Sequence, residues 1–436
     1  MREYRTWRAV WARLWVSIVQ LTAGGNWSSK LPVGDQRNLR WFFFDGVLSA
    51  ASDGIVVTYL TLFVLELGAT NAQIGLMTAL ASLMATILLL PGAMLSDRTG
   101  RRKLIVLAGG GTIYRSSILL LALVPLFVQG PAAVTVAIII KVIGDGFANL
   151  SVPAWTSLTA DIVPLNWRGR YFGTRNIIMA IAGMAMTFLA GQMITAIGSP
   201  TGYQVVLLIA FCIGMGATFS YSRIREPHTE PREKTTVSYK PAVLVRILRS
   251  DKNFLLLCVY TIVWNMFINI AGPFFNVYLV RDLNATAAMV GTLTIVSSIA
   301  SLPGLRLFGS LVDRWGPHRL QLLTGFVIPV LPLAWLFVKE PWQAIPINIL
   351  GGFIWAGYGL ASFSLLLALS PPEQRALYSA ILQTSVTLSA AIVAAVGGQV
   401  ATLWSIPVVF AISGVGRLVA AVFFAKWIKA PEQERP

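Results

Sequence analysis

The chain has 436 residues, of which 56% are hydrophobic and only 12% charged, and its mean hydropathy is +0.70. A soluble fold could not bury this much apolar surface, so the bilayer is the predicted solvent, and the formal charge of +16 is interpreted by its location rather than as a sign of nucleic-acid binding. Cys212 and Cys258 both lie in apolar runs, which argues against a disulfide framework and predicts two small core residues.

The N-terminal segment combines arginines with apolar residues. Arg2, Arg5 and Arg8 precede an apolar run that ends at Leu21, which superficially resembles a secretory signal. The apolar residues recur at helical spacing with arginines between them, a pattern typical of a helix lying flat in the headgroup region. We therefore predict that residues 1–39 form a cytoplasmic tail with an interfacial amphipathic helix; the alternative is a disordered basic tail.

Twelve apolar segments follow this tail. A helix needs about 20 mainly apolar residues to cross the hydrocarbon core of a bilayer. The segments lie at residues 41–65, 73–95, 104–128, 132–157, 173–197, 203–222, 253–280, 287–309, 320–338, 343–369, 377–401 and 406–427. The sequence therefore predicts an all-α polytopic membrane protein with twelve transmembrane helices.

The positions of lysine and arginine predict the orientation of these helices. Both residue types accumulate in short cytoplasmic loops. If both termini are cytoplasmic, the cytoplasmic connections hold almost all of the loop cations, whereas the outer connections offer only Arg281 and Lys339. We predict a multi-pass protein of the inner membrane with cytoplasmic N- and C-termini.

One long polar connection divides the spans into two groups of six. Residues 223–252 are charged and contain prolines, as a linker does. We predict an N-terminal bundle at residues 40–222, a cytoplasmic linker at 223–252, a C-terminal bundle at 253–428 and a cytoplasmic tail at 429–436.

The two halves carry matching landmarks, and internal symmetry is a signature of transporter folds. The segments GLMTALASLMATILLLPGAMLSDRTGRRK and GTLTIVSSIASLPGLRLFGSLVDRWGPHR align without a gap. The aligned pairs, including those of a second loop, are Gly75 with Gly291, Asp97 with Asp313, Arg98 with Arg314, Gly100 with Gly316, Pro164 with Pro371, Arg168 with Arg375 and Tyr171 with Tyr378. We interpret the chain as an internal repeat of six spans.

The loop after the second span makes a family resemblance visible. GAMLSDRTGRRK resembles the motif at this position in the major facilitator superfamily, and GSLVDRWGPHR is a second copy that departs from the pattern at Pro317 and His318. PAWTSLTADIVPLNWRGRYFGTRN also resembles the loop between spans four and five in a bacterial subgroup of unassigned substrate. The resemblance covers residues 40–428. It implies two pseudo-symmetric six-helix bundles that move a small solute by alternating access.

The motif loops supply a candidate cytoplasmic gate. An Asp-Arg pair at the inner end of a helix can form salt bridges and hydrogen bonds with neighbouring helix ends, which stabilises one facing state. The alternative is that the arginines only follow the distribution of positive charge. The candidate gate residues are Asp97, Arg98, Gly100, Arg101, Arg168, Asp313, Arg314, Gly316 and Arg375.

Charged residues inside the spans supply a candidate coupling site. Asp53, Arg115 and Lys141 fall at similar depth near the midplane, and Asp145 follows Lys141 by one helical turn. An ion at the bilayer centre costs about 2.5–3.5 kcal/mol on insertion scales, so it is a functional candidate by default. We predict that these four residues line a central cavity, with Asp53 as the proton-titrating group; the alternative is a permanent ion-pair network.

Two further charges lie nearer to the helix ends. Asp45 is only one turn from the inner end of the first span, and Arg417 lies in the last span. We interpret both as structural residues whose side chains can reach the interface; the alternative is a functional role inside the membrane.

The C-terminal half is polar rather than charged. Asn269 takes the place of Asp53 in the repeat, and Gly272 and Pro273 interrupt the seventh span, as happens where a helix faces a cavity. The substrate-contact candidates are Asn265, Asn269, Asn276, Trp355, Tyr358 and Gln383. The alternative is ordinary interhelical hydrogen bonding.

Several patterns are absent from the sequence. It has no GxxxxGK[ST] loop and no nucleophile elbow, and neither His228 nor His318 has a second ligand nearby. We therefore predict no enzyme activity, cofactor or metal site. Drug and proton antiporters of the superfamily often carry a Gly-Pro motif in span five. The corresponding stretch here, AGMAMTFLAGQ, lacks the proline, so the sequence gives less support to multidrug efflux without excluding it.

The sequence as a whole favours a secondary active transporter. We expect a small-molecule substrate, protons or another coupling ion, a lipid bilayer, no nucleic acid and a monomer. Efflux of amphipathic compounds and uptake of a small polar solute both remain open. The alternatives are a facilitative uniporter and a non-transporting receptor or scaffold derived from a transporter.

Overall fold

The computed structural model describes residues 22, 26–164, 167–226, 248, 250–371 and 375–430. The predicted interfacial helix, most of the predicted linker and the end of the C-terminal tail lie outside these residues. A short 3-10 turn at Asn26–Lys30 precedes the first long helix.

Twelve helices in the described part of the chain are long and apolar enough to cross a membrane. They are α1 Val33–Glu66, α2 Asn71–Thr99, α3 Arg102–Phe127, α4 Pro131–Ile162, α5 Arg168–Ile197, α6 Thr201–Ser222, α7 Lys252–Arg281, α8 Ala287–Trp315, α9 Pro317–Phe337, α10 Ala344–Leu369, α11 Arg375–Leu403 and α12 Ile406–Trp427. All twelve predicted spans are confirmed. The helices extend further than predicted, α1 to Val33 and α8 to Trp315, because polar terminal turns continue beyond the apolar segment.

Three helices are irregular. Pro273 has no N–H to offer, and α7 is divided into Lys252–Ala271 and Phe274–Arg281, as the sequence predicted. Helix α9 ends in the short segments Val330–Ala334 and Trp335–Phe337. Helix α3 contains a π-helical stretch at Leu107–Ile113, which the sequence did not indicate.

The helix ends at the motif loops are built alike in both halves. The Thr70 side chain caps α2 by accepting a hydrogen bond from the Gln73 N–H, and Thr286 caps α8 through the Met289 N–H. At the other ends of these helices, Gly100 has a φ of +65° and Gly316 a φ of +82°. Because this backbone conformation favours glycine, the two motif glycines shape the turn into the next helix.

The twelve helices form two six-helix bundles with the same internal packing. In the N-terminal bundle α1 packs on α5 and α6, α2 packs on α4, and α3 packs on α4. The corresponding pairs of the C-terminal bundle are α7 with α11 and α12, α8 with α10, and α9 with α10. The bundles meet mainly through α2 with α11 and α5 with α8.

The bundles approach most closely at one end, through four glycines that we call the glycine seam: Gly75, Gly191, Gly291 and Gly398. An added Cβ at Gly75 would lie 2.5 Å from the Ala394 carbonyl oxygen and 2.8 Å from the Gly398 Cα. The alignment that sets Arg168 on Arg375, at a spacing of 207 residues, also sets Gly191 on Gly398. The two crossings of the glycine seam are therefore related by the internal repeat.

Hydrogen bonds between the bundles lie at this same end, which we call the distal end because α1 begins and α12 ends at the other. The Tyr59 hydroxyl, in α1, donates to the Thr187 carbonyl of α5 at 2.7 Å and lies 3.4 Å from the Ala287 carbonyl of α8. The Arg281 guanidinium, at the end of α7, donates to the Ala69 carbonyl and to the Asn71 side chain. The bundles are therefore joined at the distal end.

Side chains at the glycine seam should open this junction. We expect Gly75→Ala to weaken the closed distal end by roughly 1–3 kcal/mol, because the new Cβ has no room against backbone atoms of α11. The measurement is the labelling rate of Thr294→Cys by a membrane-impermeant maleimide applied from the distal side, with Cys212 and Cys258 replaced by serine. The control is Gly325→Ala, where an added Cβ meets nothing within 4 Å. Equal labelling rates in both variants would contradict the role of the glycine seam.

Candidate transport site

The centre of the N-terminal bundle holds an ion pair between α1 and α3. Arg115 Nη1 donates to Asp53 Oδ1 at 2.7 Å and to the Ser52 hydroxyl at 3.0 Å, and Nη2 donates to the Ser49 hydroxyl at 3.2 Å. The Arg115 side chain is 6% exposed, whereas that of Asp53 is 42% exposed. The pair therefore has a buried cation and an accessible carboxylate.

Glycine on α6 makes room for this arginine. An added Cβ at Gly214 would lie 2.5 Å from Arg115 Cδ, and Ser52 is held in place by its hydrogen bond to the Ala210 carbonyl of the same helix. The position of Arg115 thus depends on a close approach of α3 to α6, which only glycine at position 214 permits.

A second ion pair lies within α4. Lys141 pairs with Asp145, one turn further along the helix, as the sequence predicted. Among the described residues the two pairs do not hydrogen-bond to one another. Tyr114, whose ring lies 5.1 Å from the Arg115 guanidinium carbon, is within electrostatic reach of both Asp53 and Asp145. The four predicted coupling residues thus form two neighbouring pairs rather than one network.

A third acid lies on the other side of Arg115. Asp45 and Arg115 both line a cavity of about 170 Å³ between α1, α3, α4 and α6. Asp45 is buried, and its nearest cation is Arg175, at 3.9 Å between Nη2 and Oδ2. The interpretation of Asp45 as a residue that reaches the interface is wrong, because its carboxylate points into the bundle.

Arg175 is a functional candidate that the sequence reading missed. It is 4% exposed, donates from Nε to the Phe42 carbonyl, and stacks over the Phe42 ring with its carbon 4.2 Å from the ring centroid. Gly46 leaves space for its guanidinium, because an added Cβ would lie 2.2 Å from Arg175 Nη2. One feature of the sequence could have indicated its role. Arg175 lies two turns into α5, beyond Arg168 and Arg170, which is further into the span than a loop cation lies.

The C-terminal bundle contains a larger cavity. It has a volume of about 280 Å³ and is lined from α7, α8, α9, α10 and α12. Of the six substrate-contact candidates, Asn276 and Trp355 lie on its wall. Arg417 lies there as well and is 3% exposed, so the interpretation of Arg417 as a residue that reaches the interface is wrong.

The other substrate-contact candidates lie away from this wall. Asn265 and Asn269 donate to the carbonyls of Thr261 and Asn265, one turn back along α7. Tyr358 is buried against Trp264, with ring centroids 5.0 Å apart, and its hydroxyl lies 3.1 Å from that of Tyr260. Gln383 is exposed on α11.

The candidate gate residues lie at the terminal end. Asp97, Arg98, Arg101, Asp313 and Arg314 are exposed, and none of them forms an ion pair among the described residues.

Arg168, another candidate gate residue, packs within its own bundle. It donates to the Ala160 and Val163 carbonyls at the end of α4. The side chain of Arg375 lies outside the described part of the structure.

A neighbouring arginine joins three helix ends of the N-terminal bundle, and the sequence reading missed it. Arg102, the residue after the candidate Arg101, donates to Asp161 at 2.6 Å and to Glu226 at 3.0 Å. It ties the start of α3 to the ends of α4 and α6. Repeated arginines in GRRK do not show from sequence which of them turns inward.

The cysteines are free in this structure. Cys258 is buried, as expected for a small core residue, whereas Cys212 is exposed on α6, so its predicted core position is wrong. Within the described residues no group of three or more His, Cys, Asp or Glu side chains could hold a metal ion.

Comparison with known proteins decides the family. The sequence model of the Major Facilitator Superfamily matches residues 42–270 and 265–436. The chain belongs to this superfamily. A curated relative in it is the multidrug resistance protein MdtG of Enterobacter lignolyticus (strain SCF1), 26% identical over 328 residues that cover 73% of this chain and 74% of MdtG. Another is the multi-drug resistance efflux pump PmrA of Streptococcus pneumoniae serotype 4, 25% identical over 70% of this chain and 74% of PmrA.

Solved structures of this superfamily share the fold. A mutant of the nucleoside transporter NupG superimposes with a TM-score of 0.74 over 89% of this chain and 99% of NupG, at 14% identity. A D-xylose-proton symporter superimposes with a TM-score of 0.66 over 96% of this chain and 98% of its own, at 18% identity. The chain is thus a multi-pass membrane transporter of a small molecule rather than an enzyme.

Crowding Arg115 from α6 should disturb the ion pair without removing a charge. We expect Gly214→Ala to lower the free energy of unfolding by roughly 1–3 kcal/mol, because Arg115 must leave its hydrogen bonds to make room. Thermal unfolding of the purified protein measures the effect. The matched control is Gly216→Ala on the same helix, whose Cβ would meet only Leu48 Cδ1, at an ordinary 3.5 Å. A loss of similar size in both variants would show that α6 tolerates no alanine, and that Arg115 is not the cause.

Proposed function

We propose that this chain is a proton-coupled exporter of amphipathic small molecules that works by alternating access in the inner membrane, with both termini in the cytoplasm. The observation that carries the proposal is the pairing of an accessible carboxylate, Asp53, with a buried guanidinium, Arg115, at the middle of the N-terminal bundle. The names of MdtG and PmrA support export of drug-like compounds, although α5 lacks the Gly-Pro motif.

Protonation of Asp53 is the proposed coupling event. A buried cation that loses its counter-ion is strongly destabilised, so Arg115 needs a new partner when Asp53 becomes neutral. Asp45, Ser49 and Asp53 follow one another at one-turn spacing on α1, and Arg115 already contacts both Ser49 and Asp53. Arg115 can therefore turn toward Asp45 through the cavity that both residues line.

The conformation supports one facing state of the proposed cycle. The bundles are joined at the distal end, and Asp97, Arg98, Asp313 and Arg314 at the terminal end are exposed and form no ion pair in the described structure. With the termini in the cytoplasm, this state faces inward. We infer that the exposed strip of α1 that carries Asp53 and Val57 borders the space between the bundles.

Removal of the Asp53 charge tests the coupling. A ligand is first identified by a thermal-shift screen of the purified protein, since a compound that binds the native state raises its stability. In proteoliposomes we expect Asp53→Asn to abolish transport of that ligand driven by a pH gradient. The reason is that an asparagine side chain beside Arg115 cannot bind and release a proton. The control is Asp282→Asn, an exposed acid beyond the end of α7.

Each result of this experiment separates the proposal from its alternatives. Gradient-driven transport that survives in Asp53→Asn would remove Asp53 from the coupling. Transport by the native protein that ignores the gradient would indicate a facilitative uniporter. Binding without any transport would indicate a receptor.

Removal of a gate charge tests the alternation. In the state closed at the terminal end, Asp97 is expected to pair across helix ends, so Asp97→Ala should favour the state seen here by about fivefold. The measurement is labelling of Ser49→Cys, on the wall of the smaller cavity, by an impermeant maleimide in inside-out vesicles, again with both native cysteines replaced. Asp35→Ala, an exposed acid in the first turn of α1, serves as the control. Unchanged labelling in Asp97→Ala would count against the gate.

A further inference from the structure

The C-terminal bundle contains a buried cation that the proposed proton coupling does not use. Arg417 lies in α12, is 3% exposed, and forms part of the wall of the cavity of about 280 Å³. A cation placed at this depth in a membrane protein is costly unless something neutralises it.

No carboxylate neutralises Arg417 among the described residues. All ion pairs in the described structure belong to the N-terminal half, where each intramembrane cation has an acid beside it. Arg417 instead donates from Nε to the Phe267 carbonyl at 3.3 Å, an acceptor that it shares with the Ser413 hydroxyl. The two terminal nitrogens of its guanidinium form no hydrogen bond in the described structure.

The structural role of Arg417 is thus fulfilled by Nε alone. That nitrogen ties α12 to α7, which leaves the planar fork of Nη1 and Nη2 for another partner. A guanidinium fork matches the two oxygens of a carboxylate in a bidentate arrangement. The partner that the site lacks within the protein is therefore an anion with two oxygens side by side.

The other residues of the cavity wall indicate the chemistry of the rest of the ligand. Asn276 contributes an amide that makes no hydrogen bond in the described structure, whereas Asn348 is already bonded to the Ala344 carbonyl. Phe275, Trp335 and Trp355 contribute aromatic faces. A few polar groups on a mainly apolar wall are typical of sites for small amphipathic ligands.

We propose that this cavity binds the carboxylate of a small aromatic monoanion, with Arg417 holding the two oxygens and the aromatic residues covering the ring. The assignment rests on the proposed function in one respect, that the ligand of the cavity is the transported solute. The proposal names the substrate class and gives each half a separate role. The N-terminal bundle binds and releases the proton, and the C-terminal bundle binds the anion.

Titration calorimetry with a matched pair of probes tests this site on the purified full-length protein. The probes are 3-phenylpropanoate and its neutral analogue 3-phenylpropanamide. We expect saturable binding of the carboxylate, and binding at least tenfold weaker for the amide. We also expect Arg417→Gln to weaken carboxylate binding at least tenfold and to leave amide binding unchanged. The control is Arg306→Gln, which removes an exposed cation of α8.

A second variant covers the case in which Arg417→Gln does not fold. Asn276→Asp places an acid on the same wall, where it can occupy Arg417, so it should abolish carboxylate binding and retain amide binding. No saturable carboxylate binding to the native protein overturns the proposal. Equal affinity for the two probes, or full affinity in Arg417→Gln or in a folded Asn276→Asp, also overturns it.

Transport measurements separate this inference from the proposed function. Binding that depends on Arg417, together with an absence of flux in proteoliposomes, would leave the site standing and reject transport. Gradient-driven flux of another solute by a protein that binds no carboxylate would reject the site alone.

Discussion

The cost of an ion inside the bilayer governs how this protein is built. Each buried guanidinium in the N-terminal bundle is held beside a carboxylate, and the helices come close enough for that contact only where glycine replaces a larger side chain. Gly214 admits Arg115 and Gly46 admits Arg175. At these two sites glycine and charge act together, because each guanidinium occupies the space that a Cβ would fill.

The two halves of the internal repeat share their helix packing but differ in the charges inside it. Both halves keep the same helix pairing, the same threonine caps and the same motif glycines with positive φ. Their interiors differ, since Asn269 stands where the first half has Asp53, and no acid pairs with Arg417 within the described ranges. The shared features maintain the fold, and the differences give each half its own chemistry.

The sequence predicted the helices well because a twenty-residue apolar segment has few alternatives in a bilayer. The sequence was less informative about the direction in which a side chain points from its helix. Counting residues from a helix end gives depth, but Arg417 and Asp45 are buried because of the way their helices are rotated, which depth does not reveal. Arg175 was missed for a similar reason, since its burial depends on which face of α5 packs against α1.

Sequence symmetry found some contacts and missed others. It paired Gly75 with Gly291, but Gly75 packs against Gly398 of α11, whereas Gly291 packs against the Thr187 carbonyl of α5 and the Tyr59 hydroxyl. Tyr358 was predicted as a substrate contact, yet its hydroxyl is satisfied by Tyr260 inside the bundle. Only the arrangement of helices shows which polar groups are already used.

The Tyr59 hydroxyl has a consequence for the rate of the transport cycle. This single group joins α1 to α5 and lies against the first turn of α8, so it belongs to both bundles at once. Separation of the distal ends exposes that phenol to water, which replaces the lost α8 contact. A buried hydrogen bond of this kind contributes on the order of 1 kcal/mol net. This contact of the closed face is therefore weak enough for thermal motion to break on every turnover.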